Sequence, residues 1–295
     1  MKEVKIILMA IVISVLASCG TTSTVPITGR KHRLSVTDEY VLSLSTQQYA
    51  QYMKTAKAST NATNTAMVKR VGQRLATAVE TYLKNNGFAH EVQNFAWEFN
   101  LVQSNEVNAF CMPGGKIVVY EGILPVTKDE ASLAIVLGHE IAHAVAKHSA
   151  EQMTKSQNAS TGLQIGSGIL SAMGVGSTTT QVATAVASQG LSLLNLKYSR
   201  DNESEADHMG LVFAAMAGYD PQVAVSFWKR MSAGSSGQTA TWMSSHPSDE
   251  QRIADIQRHM PEALRYYKPA TTTTTTTAKK AASTKKATTK KSTKK

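Results

Sequence analysis

The stretch Leu137–Val145 has the sequence LGHEIAHAV and contains an H-E-x-x-H pattern formed by His139, Glu140 and His143. On a helix, residues four apart project from the same face, so the two imidazoles can take adjacent corners of a zinc tetrahedron. Glu140 lies about a hundred degrees around the helix axis, where its carboxylate can reach a water molecule beside the metal. An accidental match is expected only about 0.01 times in a chain of this composition.

The residues around this pattern are apolar and predict a buried helix from Asp129 to about Ser149. Buried imidazoles and a buried carboxylate need polar partners, and a metal ion supplies them. A solvated face of histidine and glutamate is the alternative interpretation, and the apolar neighbours argue against it.

A catalytic zinc site also requires a third protein ligand. The acidic segment Ser199–Asp207, with the sequence SRDNESEAD, offers one. Glu203 and Asp207 lie four residues apart on one helix face, so one can bind the metal while the other accepts the N–H of a ligating histidine. The spacing does not choose between Glu203 and Glu205, and an acidic helix start is the alternative interpretation of the whole segment.

The hydrophobic periods predict an α+β fold, mainly helical with a small β-sheet, in one domain over residues 37–268. With 295 residues and 42% hydrophobic side chains the chain can bury a core, which excludes wholesale disorder. Two cysteines are too few for a disulfide scaffold, and Cys111 is expected to be a buried thiol rather than a nucleophile. Helical spacing is found over residues 41–52, 67–83 and 203–217, from 221 and after 247, and strand alternation over 95–101 and 117–120.

The net charge of +10 is concentrated after Pro269, where there are eight lysines and no acid. The rest of the chain is nearly neutral, so no basic nucleic-acid-binding face is indicated. Residues 269–295 are predicted to be a disordered tail of threonine and lysine that can contact acidic envelope polymers.

Residues 156–196 carry no formal charge and predict a mobile cover of two packed helices. A membrane hairpin is the alternative there, and the many glycines and hydroxyl groups disfavour it.

The N-terminal residues 1–18 contain an apolar run that is too short to span a bilayer but is typical of a signal peptide. The run ends in LASC, which resembles the lipobox of bacterial lipoproteins, where the chain is cut before the cysteine and Cys19 receives lipid. An uncleaved anchor with an incidental cysteine is the alternative. In both cases the domain is exported, and residues 19–36 are predicted to be a tether.

Together these motifs resemble the HtpX-type zinc metallopeptidases, the group that includes the CAAX prenyl protease, over about residues 25–258. Within that group the sequence looks most similar to the BepA/LoiP-type lipoproteins of the bacterial periplasm. The matching segments are Val25–Arg30, Asn108–Gly115, His139–His143, Ser199–Asp207 and Ser245–Pro247 with Arg252 and Ile253. The tail departs from the family pattern.

The resemblance implies a gluzincin-like domain whose active-site helix lies beside a short sheet, with an edge that takes an extended peptide. It implies one Zn²⁺ per chain, held by His139, His143 and Glu203 rather than Glu205, with Asp207 as the supporting acid.

Roles are also expected for four further residues. Glu140 is the general base. His246 is expected to be a catalytic residue that faces the site, where it caps the zinc in a closed form or stabilises the oxyanion, for which Arg252 is the other candidate. The alternative for His246 is a helix-start residue before a proline. His148 lies off the ligand face and is expected to be structural or a helix-end cation, despite its match to the family.

The implied function is zinc-dependent endopeptidase activity on misfolded or misassembled cell-envelope proteins, which is envelope quality control. The implied location is a bacterial membrane facing the periplasm, the outer membrane being favoured, with attachment through lipid on Cys19. A zinc-bearing chaperone or assembly adaptor with a normally closed site is the alternative function. No specific nucleic-acid partner is expected.

Overall fold

The computed structural model describes residues 21–159, 192–233 and 250–268, together with Trp242 and His246. The longer elements are β1 (Thr21–Thr24), β2 (Lys31–Leu34), α1 (Asp38–Thr55), α2 (Ala62–Asn85), β3 (Glu98–Val102), β4 (Ala109–Met112), β5 (Lys116–Tyr120), α3 (Glu130–Val145), α4 (Arg200–Met216), α5 (Val223–Ala233) and α6 (Glu250–Tyr266). Residues 148–159 are helical as well. These elements confirm the predicted α+β fold that is mainly helical.

The larger sheet has three strands in the order β3-β5-β4, with β3 parallel and β4 antiparallel to β5. Its central strand is the most apolar, and Ile117, Val118 and Val119 are buried on both faces of the sheet. Strand β4 packs against α3. The small sheet therefore lies beside the helix that carries the H-E-x-x-H pattern, as predicted.

Helix α3 begins where the side chain of Asp129 accepts a hydrogen bond from a backbone N–H of the first turn. It is buried along most of its length, which confirms the prediction from its apolar sequence. The helix ends at Val145, earlier than predicted, because Lys147 adopts a left-handed conformation with φ of 56°. Asp38 and Glu91 hold the Lys147 ammonium group there, at 2.7 and 2.9 Å.

Helices α3 and α4 cross at a pair of glycines. A Cβ atom added to Gly138 would lie 2.7 Å from the carbonyl oxygen of Gly210, and one added to Gly210 would lie 2.6 Å from the backbone nitrogen of His139. Both clashes are with backbone, which has little freedom to move. The absence of side chains at the crossing thus lets α4 approach the helix that carries His139.

We expect Gly210→Ala to lower the free energy of unfolding by about 1–3 kcal/mol, the usual cost of overpacking. The clash outweighs the gain in helix propensity, which is about 1 kcal/mol. Because the helices must separate, the zinc affinity should fall as well. Urea unfolding and a zinc-binding titration check this, with Asp201→Ala at the exposed start of the same helix as the control. An unchanged stability would contradict the close crossing.

The N-terminal residues differ from the prediction, because residues 21–36 are not a tether. Strands β1 and β2 form an antiparallel hairpin, and Val25 and Leu34 are buried against the domain. The turn between the strands uses left-handed conformations at Ile27 and Gly29, with φ of 66° and 68°. Burial of these apolar side chains, together with an ion pair from Arg30, holds the hairpin on the domain.

Several predictions lie outside the described residues. They concern the signal peptide over residues 1–18, lipidation of Cys19, most of the uncharged segment 156–196 and the tail over 269–295. Among the helices that the structure describes, none combines the length and the apolar character needed to cross a bilayer.

Candidate metal centre

The structure brings the three predicted zinc ligands together in the buried interior. The Nε2 atoms of His139 and His143 lie 3.1 Å apart. The carboxylate oxygens of Glu203 lie 3.4 Å from Nε2 of His139 and 3.5 Å from Nε2 of His143. Zinc bonds of about 2.0–2.2 Å at tetrahedral angles place neighbouring donor atoms about 3.3–3.6 Å apart. The donor set therefore fits a single zinc ion.

Local helix structure positions these three side chains. The two histidines are one turn apart on α3, so both point to the same side. Glu203 belongs to the first turn of α4, whose start is set by a capping box between Ser199 and Asn202. The cap fixes where the helix begins, and the packing of α4 on α3, with Asp207 bonded to His139 one turn later, fixes which acidic residue faces the histidines. The residue that faces them is Glu203, as the family resemblance implied.

His246 completes the cluster as a fourth donor. Its Nδ1 atom lies 3.2 Å from Nε2 of His139 and 3.1 Å from Oε1 of Glu203. The indole ring of Trp242 stacks on the imidazole, with ring centroids 4.5 Å apart. His246 is only 4% exposed. The predicted position of His246 at the site is therefore what the structure shows, and in this conformation the side chain closes the fourth corner.

Asp207 supports His139 from the side away from the cluster. Its Oδ1 atom accepts a hydrogen bond from Nδ1 of His139 at 2.9 Å, which leaves the lone pair of Nε2 directed at the other donors. Arg252 donates to both carboxylate oxygens of Asp207, at 2.5 and 2.9 Å, and its guanidinium lies over the ring of Trp228. These contacts give Arg252 a supporting role and do not favour the oxyanion role for which it was one of two candidates.

The charges of the cluster favour a divalent cation. Three buried carboxylates, on Glu140, Glu203 and Asp207, face one buried guanidinium, on Arg252, so the described side chains leave two negative charges unbalanced when the imidazoles are neutral. Unbalanced buried charge is costly, and a divalent ion cancels it. In the metal-free protein, burial and Arg252 oppose protonation of His139, but hydrogen bonds with Asp207 and Glu203 raise its pKa to about 9.

Glu140 lies beside the cluster without being one of its donors. Its Oε1 atom accepts a hydrogen bond from the indole N–H of Trp242 at 3.3 Å and lies 3.6 Å from Nε2 of His246. Burial and, to a lesser degree, the charge of Glu140 raise the pKa of Cys111 well above its ordinary value. Cys111 is buried, as expected from the sequence, and the raised pKa favours the protonated thiol.

Sequence reasoning missed several residues that surround the cluster. Trp242 and Trp228 form an aromatic wall around His246, His139 and Arg252. Trp242 lies four residues before His246, and this spacing was the sequence signal that could have placed Trp242 beside the site. His148, expected to be structural, contacts the ligand His143 directly.

A second group with metal-binding side chains lies on the outer side of α4 and α6, and it consists of His208, His259 and Glu262. Glu262 accepts a hydrogen bond from Nε2 of His208 at 2.8 Å. The two imidazole rings are stacked with centroids 3.8 Å apart and planes 16° apart. Imidazole lone pairs lie in the ring plane, so the two stacked rings direct them within nearly parallel planes, which does not favour a single shared ion.

The sequence is similar to known metallopeptidases. A family model described as "Peptidase family M48" matches residues 62–260, which is about two thirds of the chain. The "Mitochondrial metalloendopeptidase OMA1" of Schizosaccharomyces pombe is 38% identical over 174 residues, 58% of this chain and 49% of the relative. The protein of the same description in Arabidopsis thaliana is 34% identical over 187 residues, 63% of this chain and 36% of the relative.

A bacterial relative shares less identity. The "Beta-barrel assembly-enhancing protease" of Escherichia coli is 29% identical over 168 residues, 55% of this chain and 34% of the relative. The chain thus spans half or less of the length of these three relatives. The expected family is confirmed. The mitochondrial enzymes match more strongly than the bacterial protease. These matches therefore do not show a specific similarity to periplasmic lipoproteins. The matched region contains the ligand cluster and Glu140, and the chain belongs to peptidase family M48.

Proposed function

We propose that this chain is a zinc-dependent endopeptidase that hydrolyses peptide bonds in misfolded or misassembled cell-envelope proteins. The supporting observation is the cluster of His139, His143 and Glu203 with Glu140 beside it but outside the donor set. This arrangement separates the metal ligands from the carboxylate that handles the proton, as peptide hydrolysis by a zinc enzyme requires.

Zinc, when bound by these three residues, lowers the pKa of a water molecule and polarises the carbonyl of the scissile bond. Glu140 takes the proton of the attacking water on a carboxylate oxygen and returns it to the nitrogen that leaves. Trp242 donates its indole N–H to Oε1 of Glu140 and so orients the carboxylate. Asp207 keeps His139 in the tautomer with the proton on Nδ1, so that Nε2 remains available as a ligand.

The position of His246 favours a second candidate function, a zinc-bearing chaperone or assembly adaptor with a normally closed site. With zinc held by the other three donors, His246 as it lies here would occupy the position that water needs for hydrolysis. Turnover therefore requires that the His246 side chain move away from His139 and Glu203. An adaptor would keep His246 in place and use the domain for binding alone.

The proposed location follows from the N-terminal sequence. A signal peptide over residues 1–18 and lipid on Cys19 would attach the domain to a bacterial membrane on its periplasmic side, and we propose the outer membrane. The name of the Escherichia coli relative refers to β-barrel assembly, which supports envelope proteins as clients. The lysine-rich tail would contact acidic envelope polymers, and we propose no specific nucleic-acid partner.

The test is cleavage of casein, an unfolded substrate, by the purified full chain. We expect cleavage with one zinc per chain, loss of cleavage after removal of the metal with a chelator, and recovery when zinc but not magnesium is returned, because the donor set of two imidazoles and one carboxylate suits zinc. Metal-loaded protein that leaves casein intact, while still suppressing aggregation of an unfolded client, would favour the adaptor function instead.

A further inference from the structure

The ligand His143 has a partner on its second ring nitrogen, and this partner is another histidine. Nδ1 of His148 lies 2.9 Å from Nδ1 of His143. The other nitrogen of His148, Nε2, lies 2.9 Å from Oε2 of Glu205. All three side chains are buried, and that of His148 is fully so. Glu205, which is not a ligand, is thereby connected to a ligand through one imidazole.

The direction of these hydrogen bonds is set from the Glu205 end. A carboxylate only accepts, so Nε2 of His148 carries the proton that it donates to Glu205. In the neutral ring Nδ1 of His148 is then an acceptor, and the N–H at Nδ1 of His143 donates a hydrogen bond to it. His143 is left with a free lone pair on Nε2, the atom that lies 3.1 Å from Nε2 of His139.

The Glu205 carboxylate is itself held by the N-terminal hairpin. Arg30 donates from Nε to both oxygens, at 3.0 and 2.9 Å, and from Nη2 to Oε2 at 2.7 Å. The hydroxyl of Thr28 donates to Oε1 at 2.6 Å. The turn that carries Arg30 is closed by a hydrogen bond from the backbone N–H of Val25 to the Arg30 carbonyl, at 2.8 Å. The hairpin precedes residue 62, where the family match begins.

We propose that Arg30, Glu205 and His148 are positioning residues for the zinc ligand His143, and that the N-terminal hairpin is in this way part of the metal centre. The relay, which consists of Glu205 and His148, orients His143 as Asp207 orients His139, but an imidazole lies between the carboxylate and the ligand. The proposal rests on zinc binding at the cluster, and it does not depend on peptide hydrolysis.

Glu151 offers a matched control because it is the other carboxylate bound by Arg30. Nη2 of Arg30 lies 2.9 Å from Oε2 of Glu151, and the Glu151 side chain also approaches His32. The hydrogen bonds and ion pairs of Glu151 among the described residues go to Arg30, His32, Lys155 and Asn202, and none goes to His143 or His148. Glu151→Gln and Glu205→Gln each remove one carboxylate charge that faces the Arg30 guanidinium. Only Glu205→Gln changes a residue that is hydrogen-bonded to His148.

The experiment measures the zinc dissociation constant of the full chain by competition with a chromophoric chelator. We expect Glu205→Gln to weaken zinc binding by about 10–100-fold, the usual effect of changing the outer partners of a ligating histidine. The amide has one accepting oxygen, and in either orientation its NH₂ group faces donors, those of Thr28 and Arg30 or those of His148 and Arg30. Glu151→Gln should leave zinc binding nearly unchanged. The cobalt-substituted protein provides a second readout, since a turned His143 ring alters the visible absorption of the bound ion, which loss of stability alone does not.

Arg30→Lys extends the test if Glu205→Gln fails to fold, because it keeps the charge and loses the two-pronged donor. It should bind zinc more weakly than the unchanged chain. Zinc binding and a cobalt spectrum that stay unchanged in the variant that folds would overturn the proposal, as would equal weakening by Glu151→Gln. A chain that cleaves no casein but shows the expected loss of zinc affinity would refute the peptidase function and leave this proposal standing.

Discussion

Glu140→Gln is expected to lower the rate of casein cleavage by about 10²–10⁴-fold, the usual contribution of a general acid–base group. Glutamine has nearly the same size as glutamate, and its carbonyl oxygen can still accept the hydrogen bond from Trp242. It cannot take up a proton at neutral pH. Because Glu140 is outside the donor set of the cluster, zinc content should stay at one ion per chain.

The measurement compares initial cleavage rates at equal zinc content, with Glu106→Gln as the control on an exposed glutamate. The control should cleave casein at the unchanged rate. If Glu140→Gln cleaves as fast as the unchanged chain, the proton is handled elsewhere and the proposed mechanism is wrong. If the variant loses cleavage in vitro but supports normal client turnover in cells, the adaptor function accounts for the role of the protein there.

The histidines and the general base could be predicted from sequence because their relation is local. His139, Glu140 and His143 lie within one and a half turns of a helix, so periodicity alone places them. Glu203 could not be separated from Glu205 in that way, because both lie on the first turns of the same helix. The packing of α4 on α3 makes the choice, and it became visible only in the structure.

The hairpin and the aromatic wall were beyond sequence reasoning for a different reason. Arg30 and Glu205 are 175 residues apart, and Trp242 and Glu140 are 102 residues apart. No local period encodes such pairs. Strand β2 is only four residues long, and its alternation of His32 and Leu34 with exposed neighbours is too brief to distinguish a strand from a polar tether.

Arg252→Met should cost the metal-free protein about 3–5 kcal/mol in its free energy of unfolding, the usual result of removing one partner of a buried ion pair. Arg252 is 4% exposed and donates to both oxygens of Asp207, which is buried too. Burial alone raises the pKa of Asp207, but Arg252 and His139 hold it below its ordinary value. The carboxylate therefore stays charged, and the substitution leaves that charge with a single partner.

Arg258→Met on the same helix is the matched control, since Arg258 forms an exposed ion pair with Asp255 and exposed pairs contribute only about 0–1 kcal/mol. Urea unfolding of the full chain, with zinc and without it, measures both variants. Bound zinc supplies two positive charges to the carboxylates that Arg252 faces, so the loss from Arg252→Met should be smaller in the zinc-bound protein. Equal losses with and without zinc would show that Arg252 acts through its packing on Trp228, and the charge balance that favours a divalent ion would then lack its experimental support.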